Sequence, residues 1–122
     1  MAPKNYTECT GKLLPIRDTL DVISGKWKLQ IIIAMSHGNK RFTEIERSIP
    51  KITSKVLAKE LKDLEEYELI KRTVYDDSPV LVEYTLLPYA KTLDDVINSL
   101  HKWGINHRKK IAGRSKEKKV NK

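Results

Sequence analysis

The sequence predicts a mostly α-helical domain that carries one small β-hairpin. Apolar residues recur every three or four positions along residues 15–64 and again along 89–103, as they do on the buried face of a helix. Between these stretches, Ile70–Tyr75 and Leu81–Leu86 are rich in β-branched and aromatic residues and flank the turn-forming residues 76–79. The predicted order is therefore several helices, one hairpin and a closing helix.

Two helices are expected before the central part of the chain. Pro15 can open the first of them, because its missing N–H is not needed in the first turn, and Gly25 can stop it. A second helix should run from about residue 26 to residue 37 and end at Gly38 and Asn39. Its inward side would carry Trp27, Ile31, Ala34 and Met35.

Two capped helices follow a short segment, residues 40–42, that is long enough for a minimal strand. Thr43 and Glu46 fit a capping box for the first helix, which Pro50 would end. Thr53 or Ser54 can cap the second helix. Its buried side would carry Val56, Leu57, Leu61 and Leu64. Two such helices are the outline of a helix-turn-helix, and the hairpin beyond them makes it a winged helix-turn-helix.

Composition favours one soluble, cytoplasmic domain. The chain has 122 residues, of which 39% are hydrophobic and 33% charged. Its longest apolar run is too short to span a bilayer, and its N-terminus lacks the apolar segment of a signal peptide. We expect a flexible N-terminus over 1–13, the winged domain with added N- and C-terminal dimerisation helices over 14–107, and a basic, disordered tail over 108–122.

The net charge of +8 points to a nucleic-acid partner only once its distribution is considered. Residues 108–122 hold eight basic residues and one acidic residue, so most of the excess lies in the tail. Residues 38–62 nevertheless hold seven basic and three acidic residues, whereas four acidic and no basic residues lie in 63–68. A positive patch is thus predicted on the second capped helix and the segment before it.

The second capped helix is the candidate reader of double-stranded DNA. Lys55, Lys59 and Lys62 recur with the spacing of the buried leucines but on a different face, which suits a helix lying in the major groove. The plainer alternative is an amphipathic surface helix whose lysines are only solvated. The predicted DNA contacts are Lys40, Arg41, Thr43, Lys51, Thr53, Ser54, Lys55, Lys59, Lys62 and Arg72.

The hairpin and the closing helix supply the remaining predictions. Arg72 at the base of the hairpin could reach phosphate, although ordinary edge-strand charge explains it nearly as well. The closing helix should begin near Pro88 or Tyr89 and carry an apolar stripe that a twofold dimer would cover, unless it closes the monomer core instead. The predicted homodimer interface consists of Leu14, Ile16, Leu93, Val96, Leu100 and Trp103.

Several linked motifs resemble HxlR-type regulators, which belong to the MarR-like winged-helix group. They are PIRDTLDVISGKWKL at 15–29, KRFTEI at 40–45, ITSKVL at 52–57, ELKDLE at 60–65, VEYTL at 82–86 and WG at 103–104. The resemblance implies a dimeric, cytoplasmic, prokaryotic transcription regulator that reads DNA with the helix after Thr53. Many members carry a cysteine just before the proline of the first motif, and some sense oxidants with it. Here that position is Leu14, and Cys9 is expected to be passive.

The leading hypothesis is therefore a sequence-specific regulator that binds a pseudo-palindromic operator as a homodimer. The alternative is a winged-helix protein-interaction module with only non-specific DNA binding, which an acidic hairpin tip at Asp76 and Asp77 would suit. A metal-responsive regulator is a weaker option, because Asp95, His101 and His107 have no convincing ligand spacing. We expect no metal and no cofactor. We also expect no enzyme, since the sequence contains no glycine-rich phosphate loop and no nucleophile elbow.

Overall fold

A computed structural model describes residues 2–76 and 78–120, with side chains described for 11–76 and 78–114. The chain divides into two compact units between Leu87 and Pro88. The first unit contains helices α1 (Ala2–Ile23), α2 (Lys28–Ser36), α3 (Phe42–Ser48) and α4 (Ser54–Glu66) and strands β1 (Ile70–Tyr75) and β2 (Leu81–Leu86). The second contains a 3₁₀-helix (Pro88–Leu93) and α5 (Asp94–Val120). This order confirms the predicted winged helix-turn-helix.

The core of the first unit joins α2, α3, α4 and β1. The largest fully buried side chains are Ile31, Ile45, Leu57, Leu61, Leu64 and Ile70. The full burial of a side chain of this size stabilises the fold by about 1.5–3 kcal/mol, so the contacts among them fix the helices on one another. Trp27 and Val56, which were predicted to face inward, are only partly buried.

The hairpin matches its sequence prediction, and it is tied to the rest of the first unit. Its antiparallel register pairs Ile70 with Leu86 and Tyr75 with Leu81. The predicted strand at 40–42 does not form, because Phe42 is already the first residue of α3. One ladder-like hydrogen bond remains there, in which the Tyr84 N–H donates to the Lys40 carbonyl at 2.7 Å. At the hairpin tip, Asp77 lies outside the described residues.

The first helix is longer than the sequence predicted. It begins at Ala2 rather than at Pro15, so Pro15 lies inside α1 and the segment 2–13 is helical. A stretch without an apolar stripe gives no periodic signal even when it is helical. An interior proline loses one hydrogen bond and crowds the preceding turn, which made Pro15 a better candidate for a helix start than for a helix interior. Met1, and the side chains of residues 2–10 including Cys9, lie outside the described residues.

The predicted disordered tail is also helical in the structure. Helix α5 continues to Val120, while residues 121 and 122 lie outside the described part of the chain. Lysine, arginine, alanine and glutamate favour helix, and basic side chains near a helix C-terminus interact well with its dipole. A dense run of basic residues is therefore compatible with a helix. No helix in the described ranges combines the length and apolarity that crossing a bilayer requires.

Two glycines mark the ends of the first two helices, as predicted. Gly25 follows α1 with φ of +90°, and Gly38 follows α2 with φ of +102°. Both lie in the left-handed region, which glycine adopts without the steric cost that a Cβ atom brings. The chain can therefore reverse direction sharply at both positions.

Helix α3 is capped differently from the prediction. Its N-cap is Arg41, not Thr43, and the reciprocal acid is Glu44 rather than Glu46. The Glu44 carboxylate accepts hydrogen bonds from the backbone N–H groups of Arg41 at 3.0 Å and Lys40 at 3.1 Å. Both bonds lower the pKa of Glu44, and the bond from Arg41 has the larger effect. A carboxylate side chain thus satisfies two backbone donors at the start of α3.

We expect Glu44→Gln to destabilise the protein in a pH-dependent manner. A carboxyl group whose pKa is lower in the folded chain stabilises the fold above its unfolded pKa, and this stabilisation is lost as pH falls through the folded value. The gap in unfolding free energy between wild type and variant should therefore shrink below about pH 4. Urea unfolding at neutral and acid pH measures it. A gap that does not change with pH would contradict the assignment of Glu44 as the capping acid. The control is Thr43→Ala, which removes the side chain that the sequence predicted as the cap.

Candidate nucleic-acid interface

A tight turn sets the direction in which α4 leaves α3. Residues 49–52 have the pattern of a type II turn, with Pro50 second and Lys51 third at φ of 69°. The Ile52 N–H donates to the Ile49 carbonyl at 3.5 Å, and both isoleucine side chains are buried. The turn is therefore anchored to the core on either side, while Lys51 between them is exposed.

The N-terminus of α4 is capped and faces solvent. Thr53 is extended, and its Oγ1 accepts a hydrogen bond from the Val56 N–H at 3.2 Å. This cap satisfies one of the four backbone N–H groups that a helix start leaves without intrahelical partners. The remaining donors, with the positive end of the helix dipole, can bind an anionic group such as a phosphate.

Ser54 connects the two helices of the motif. Its hydroxyl donates to Glu46 Oε2 on α3 at 2.5 Å. Glu46 therefore pairs with Ser54 rather than with Thr43, the partner that the sequence predicted. In this structure the hydroxyl hydrogen of Ser54 is engaged within the protein, so Ser54 offers an incoming group mainly its acceptor lone pairs and backbone N–H.

The outward face of α4 carries the lysines that the sequence singled out. Leu57, Leu61 and Leu64 are buried against the core, whereas Lys55, Lys59 and Lys62 are exposed. At about 100° per residue, the centres of these two stripes lie about 160° apart. Glu66 is also exposed and shares the outward face. The helix thus has the hydrophobic back and basic front that the sequence predicted.

The two flanks of α4 differ in charge. On the hairpin side, a cleft of about 290 Å³ is lined by Ala58, Leu61, Lys62, Glu65, Arg72 and Tyr84, which brings Arg72 next to the outward face. On the other side, Glu60 and Asp63 form ion pairs with Lys28 of α2, and Lys59 joins the same group. The hairpin flank therefore carries Lys62 and Arg72 with one carboxylate, Glu65, whereas two ammonium groups balance two carboxylates on the α2 flank.

Three predicted contact residues lie outside α4 and the turn before it. Lys40, Arg41 and Thr43 are exposed at the start of α3, at the opposite end of that helix from the turn. The structure thus groups Lys51, Thr53, Ser54, Lys55, Lys59, Lys62 and Arg72 around α4. Sequence reasoning missed Lys28, Glu60 and Asp63, because pairing across α2 and α4 leaves no local spacing signal.

The residues predicted to form a dimer interface are mostly exposed. Leu14 is 55% exposed and Trp103 is 68% exposed, while Leu93 and Val96 are partly buried. On α5 the stripe continues beyond the predicted set. Residues 96, 100, 103, 107 and 111 follow one helix face, and the Trp103 and His107 rings stack with centroids 4.8 Å apart. Ile111 was missed because it lies in the segment predicted to be a tail.

The described part of α1 also exposes apolar side chains on one face. Leu13, Ile16 and Leu20 follow one helix face and are each about half exposed, whereas Ile23 is buried. Of the described apolar residues on this helix, only Ile23 is therefore part of the core, and Ile16 and Leu20 remain exposed in the monomer. Among the described residues, no group of three or more histidine, cysteine, aspartate or glutamate side chains is arranged to hold a metal ion.

The family model for the HxlR-like helix-turn-helix matches residues 22–112, which include α2, the helix-turn-helix and the hairpin. The chain belongs to the HxlR-like helix-turn-helix family. Among family relatives, the HTH-type transcriptional regulator YtcD of Bacillus subtilis is 40% identical over 100 residues, covering 82% of this chain and 79% of that protein.

Solved structures agree with the HxlR-like assignment. A MarR-family transcriptional regulator from Enterococcus faecalis V583 has a TM-score of 0.73 and 37% identity, covering 83% of this chain and 92% of that chain. The redox regulator HypR in its oxidised form has a TM-score of 0.68 and 39% identity, covering 75% and 95%. This HxlR-like chain is thus a transcriptional regulator with a helix-turn-helix DNA-binding fold, and its relatives are regulators rather than enzymes.

The turn before α4 allows stability and charge to be separated at Lys51. Lys51→Gly and Lys51→Ala both remove the ammonium group, but only glycine adopts the left-handed backbone without steric cost. We expect the glycine variant to be more stable than the alanine variant by about 1 kcal/mol, as measured by urea unfolding. Equal stabilities, or a more stable alanine variant, would show that the turn does not have this geometry.

Proposed function

We propose that this protein binds double-stranded DNA sequence-specifically and regulates transcription in the cytoplasm, acting as a homodimer on a pseudo-palindromic operator. The observation that carries the proposal is the capped, solvent-facing α4, whose basic front stands opposite its buried leucines. A helix of this kind fits the major groove, where each base pair presents a distinct pattern of donors and acceptors. Membership of a family of transcriptional regulators supports the same proposal.

The contacts divide by chemistry. Lys51, Thr53 and Ser54 lie at the N-terminus of α4, where recognition helices usually approach base edges and phosphate. Lys55 and Lys62 follow on the outward face, and Arg72 would bind the backbone from the hairpin flank. Lys40, Arg41 and Thr43 would bind phosphate further along the duplex, from the start of α3.

The proposed homodimer would cover apolar surface on the terminal helices. Leu100, Trp103 and Ile111 expose a continuous stripe of α5, and Leu14 and Ile16 are exposed on α1. Partly buried Leu93 and Val96 complete the interface. A homodimer that reads two adjacent half-sites would place its two copies of α4 about 34 Å apart, one turn of DNA.

Redox control is not part of the proposal, although one structural relative is a redox regulator. The position before Pro15 is Leu14, which has no redox chemistry, and the side chain of Cys9 lies outside the described residues. A reactive thiol requires surroundings that lower its pKa. Cys9 therefore has no proposed role in regulation.

A winged-helix protein-interaction module is the second candidate. The observations in its favour are the exposed Asp76 at the hairpin tip and the Glu60 and Asp63 carboxylates, which offset the lysines on the α2 flank of α4. Such a module would bind DNA weakly and without sequence preference. A DNA titration therefore separates the two candidates.

Fluorescence anisotropy with the duplex upstream of the protein's own gene, compared with a scrambled duplex, tests DNA binding. We expect a preference of at least about a thousandfold at near-physiological salt. Lys55→Glu and Lys62→Glu should each weaken binding strongly, since each replaces a phosphate-binding charge with a repelling one. Lys91→Glu, an equal charge change in the 3₁₀-helix, is the matched control. Weak and equal binding to both duplexes would favour the interaction module.

Sedimentation equilibrium tests the dimer. We expect the wild type to be dimeric, and Leu100→Glu and Trp103→Glu to be monomeric, because each would bury a charge in an apolar interface. Ile105→Glu provides the control, since Ile105 is 41% exposed on the same helix but lies on the opposite side from the stripe. A monomeric wild type, or dissociation by all three substitutions alike, would argue against this interface.

A further inference from the structure

Four charged side chains form a network between α2 and the candidate reading helix. Lys28 Nζ lies 2.8 Å from Glu60 Oε2 and 3.5 Å from Asp63 Oδ2. Lys59 Nζ lies 3.6 Å from the same Asp63 oxygen and 4.0 Å from Glu60 Oε1. Two ammonium groups therefore face two carboxylates, and the network as a whole is neutral.

Lys28 holds the inner half of this network. Its side chain is 12% exposed and that of Glu60 is 13% exposed, so their contact is shielded from solvent. The contact with the Glu60 carboxylate is the main reason why the pKa of Lys28 is raised, and burial of the ammonium opposes it to a smaller extent. Lys28 thus stays charged and neutralises one carboxylate, which leaves one negative charge facing outward.

Lys59 meets that remaining charge at the edge of the outward face. Asp63 is 30% exposed and Lys59 is 72% exposed, so the pair is open to solvent and contributes little to stability. Its consequence concerns binding instead. If Lys59 moved to a phosphate, the Asp63 carboxylate would keep only its 3.5 Å contact with Lys28, whose charge already neutralises Glu60. The negative charge left at Asp63 would then retain a cation from solution, which offsets the cation released from the DNA.

We propose that Asp63, held in place by Lys28, excludes Lys59 from the set of lysines that neutralise phosphate. Lys28 and Asp63 are then positioning residues that set which part of α4 meets the DNA backbone. Lys55 and Lys62 bind phosphate, and the bound duplex lies toward the hairpin flank, where Lys62 and Arg72 share a cleft. This inference rests on the proposed DNA-binding function.

The salt dependence of binding to a duplex of mixed sequence tests the inference without knowledge of the operator. Non-specific binding is electrostatic, and the slope of log K against log salt becomes shallower by about 0.9 for each phosphate that the protein no longer neutralises. We expect Lys55→Ala and Lys62→Ala each to make the slope shallower by about 0.9 per subunit, because each removes one ammonium group that neutralises a phosphate. Lys59→Ala should leave the slope at the wild-type value, although all three variants remove one ammonium group from α4.

Releasing Lys59 provides the converse test. Asp63→Asn should steepen the slope by about 0.9 per subunit, because the freed ammonium can then neutralise a phosphate. The double variant Lys59→Ala with Asp63→Asn should return to the wild-type slope. Glu66→Gln removes an equal charge from the outward face of the same helix, and its effect should be the same with or without Lys59. Thermal melting by circular dichroism checks that each variant is folded.

Each result supports or overturns a definite statement. If Lys59→Ala lowers the slope as much as Lys62→Ala, or if the steeper slope of Asp63→Asn persists without Lys59, this inference is wrong and the proposed function is unaffected. If the wild type shows no salt-dependent binding to any duplex, or if neither Lys55→Ala nor Lys62→Ala changes the slope, the proposed reading face fails and the inference fails with it.

Discussion

The burial of three leucines on one side of α4 is the constraint on which the rest of the structure depends. Leu57, Leu61 and Leu64 fix the rotation of the helix about its own axis. That rotation sets the direction in which every other side chain of α4 points. The type II turn at Pro50 and Lys51 then fixes where the helix begins. A helix that is set in both rotation and starting point presents the same outward residues in every copy of the molecule.

Ion pairs with other elements determine the charge on the two flanks of α4. The basic front of α4 would be a plain row of lysines if only its own sequence mattered. Lys28, which belongs to another helix, changes this by holding the Glu60 and Asp63 carboxylates against one flank. The opposite flank keeps Arg72 beside Lys62. The surface is thus asymmetric, and the asymmetry comes from tertiary contacts rather than from the helix alone.

Local sequence patterns predicted the structure correctly wherever the residues of a single element determined it. The two hairpin strands, the Thr53 cap and the buried leucines of α4 depend on neighbouring residues, and all were predicted. Competition between equivalent signals caused the error at α3, where Arg41 and Glu44 form the cap that the sequence assigned to Thr43 and Glu46. Both terminal helices are longer in the structure than in the prediction, because the polar parts of a helix have no apolar period. The Lys28 network needed two helices in contact, which spacing cannot show.

The hydrogen bond between the Tyr84 N–H and the Lys40 carbonyl has a consequence for the mobility of the hairpin. A second bond, from the Leu87 N–H to the Leu69 carbonyl, secures the base of the same hairpin. Strand β2 is therefore held near its middle and just past its end, and its middle is joined to the segment that leads into α3. A hairpin restrained in this way has little conformational entropy left to lose when it binds a partner. More of its contact energy would therefore appear as binding affinity.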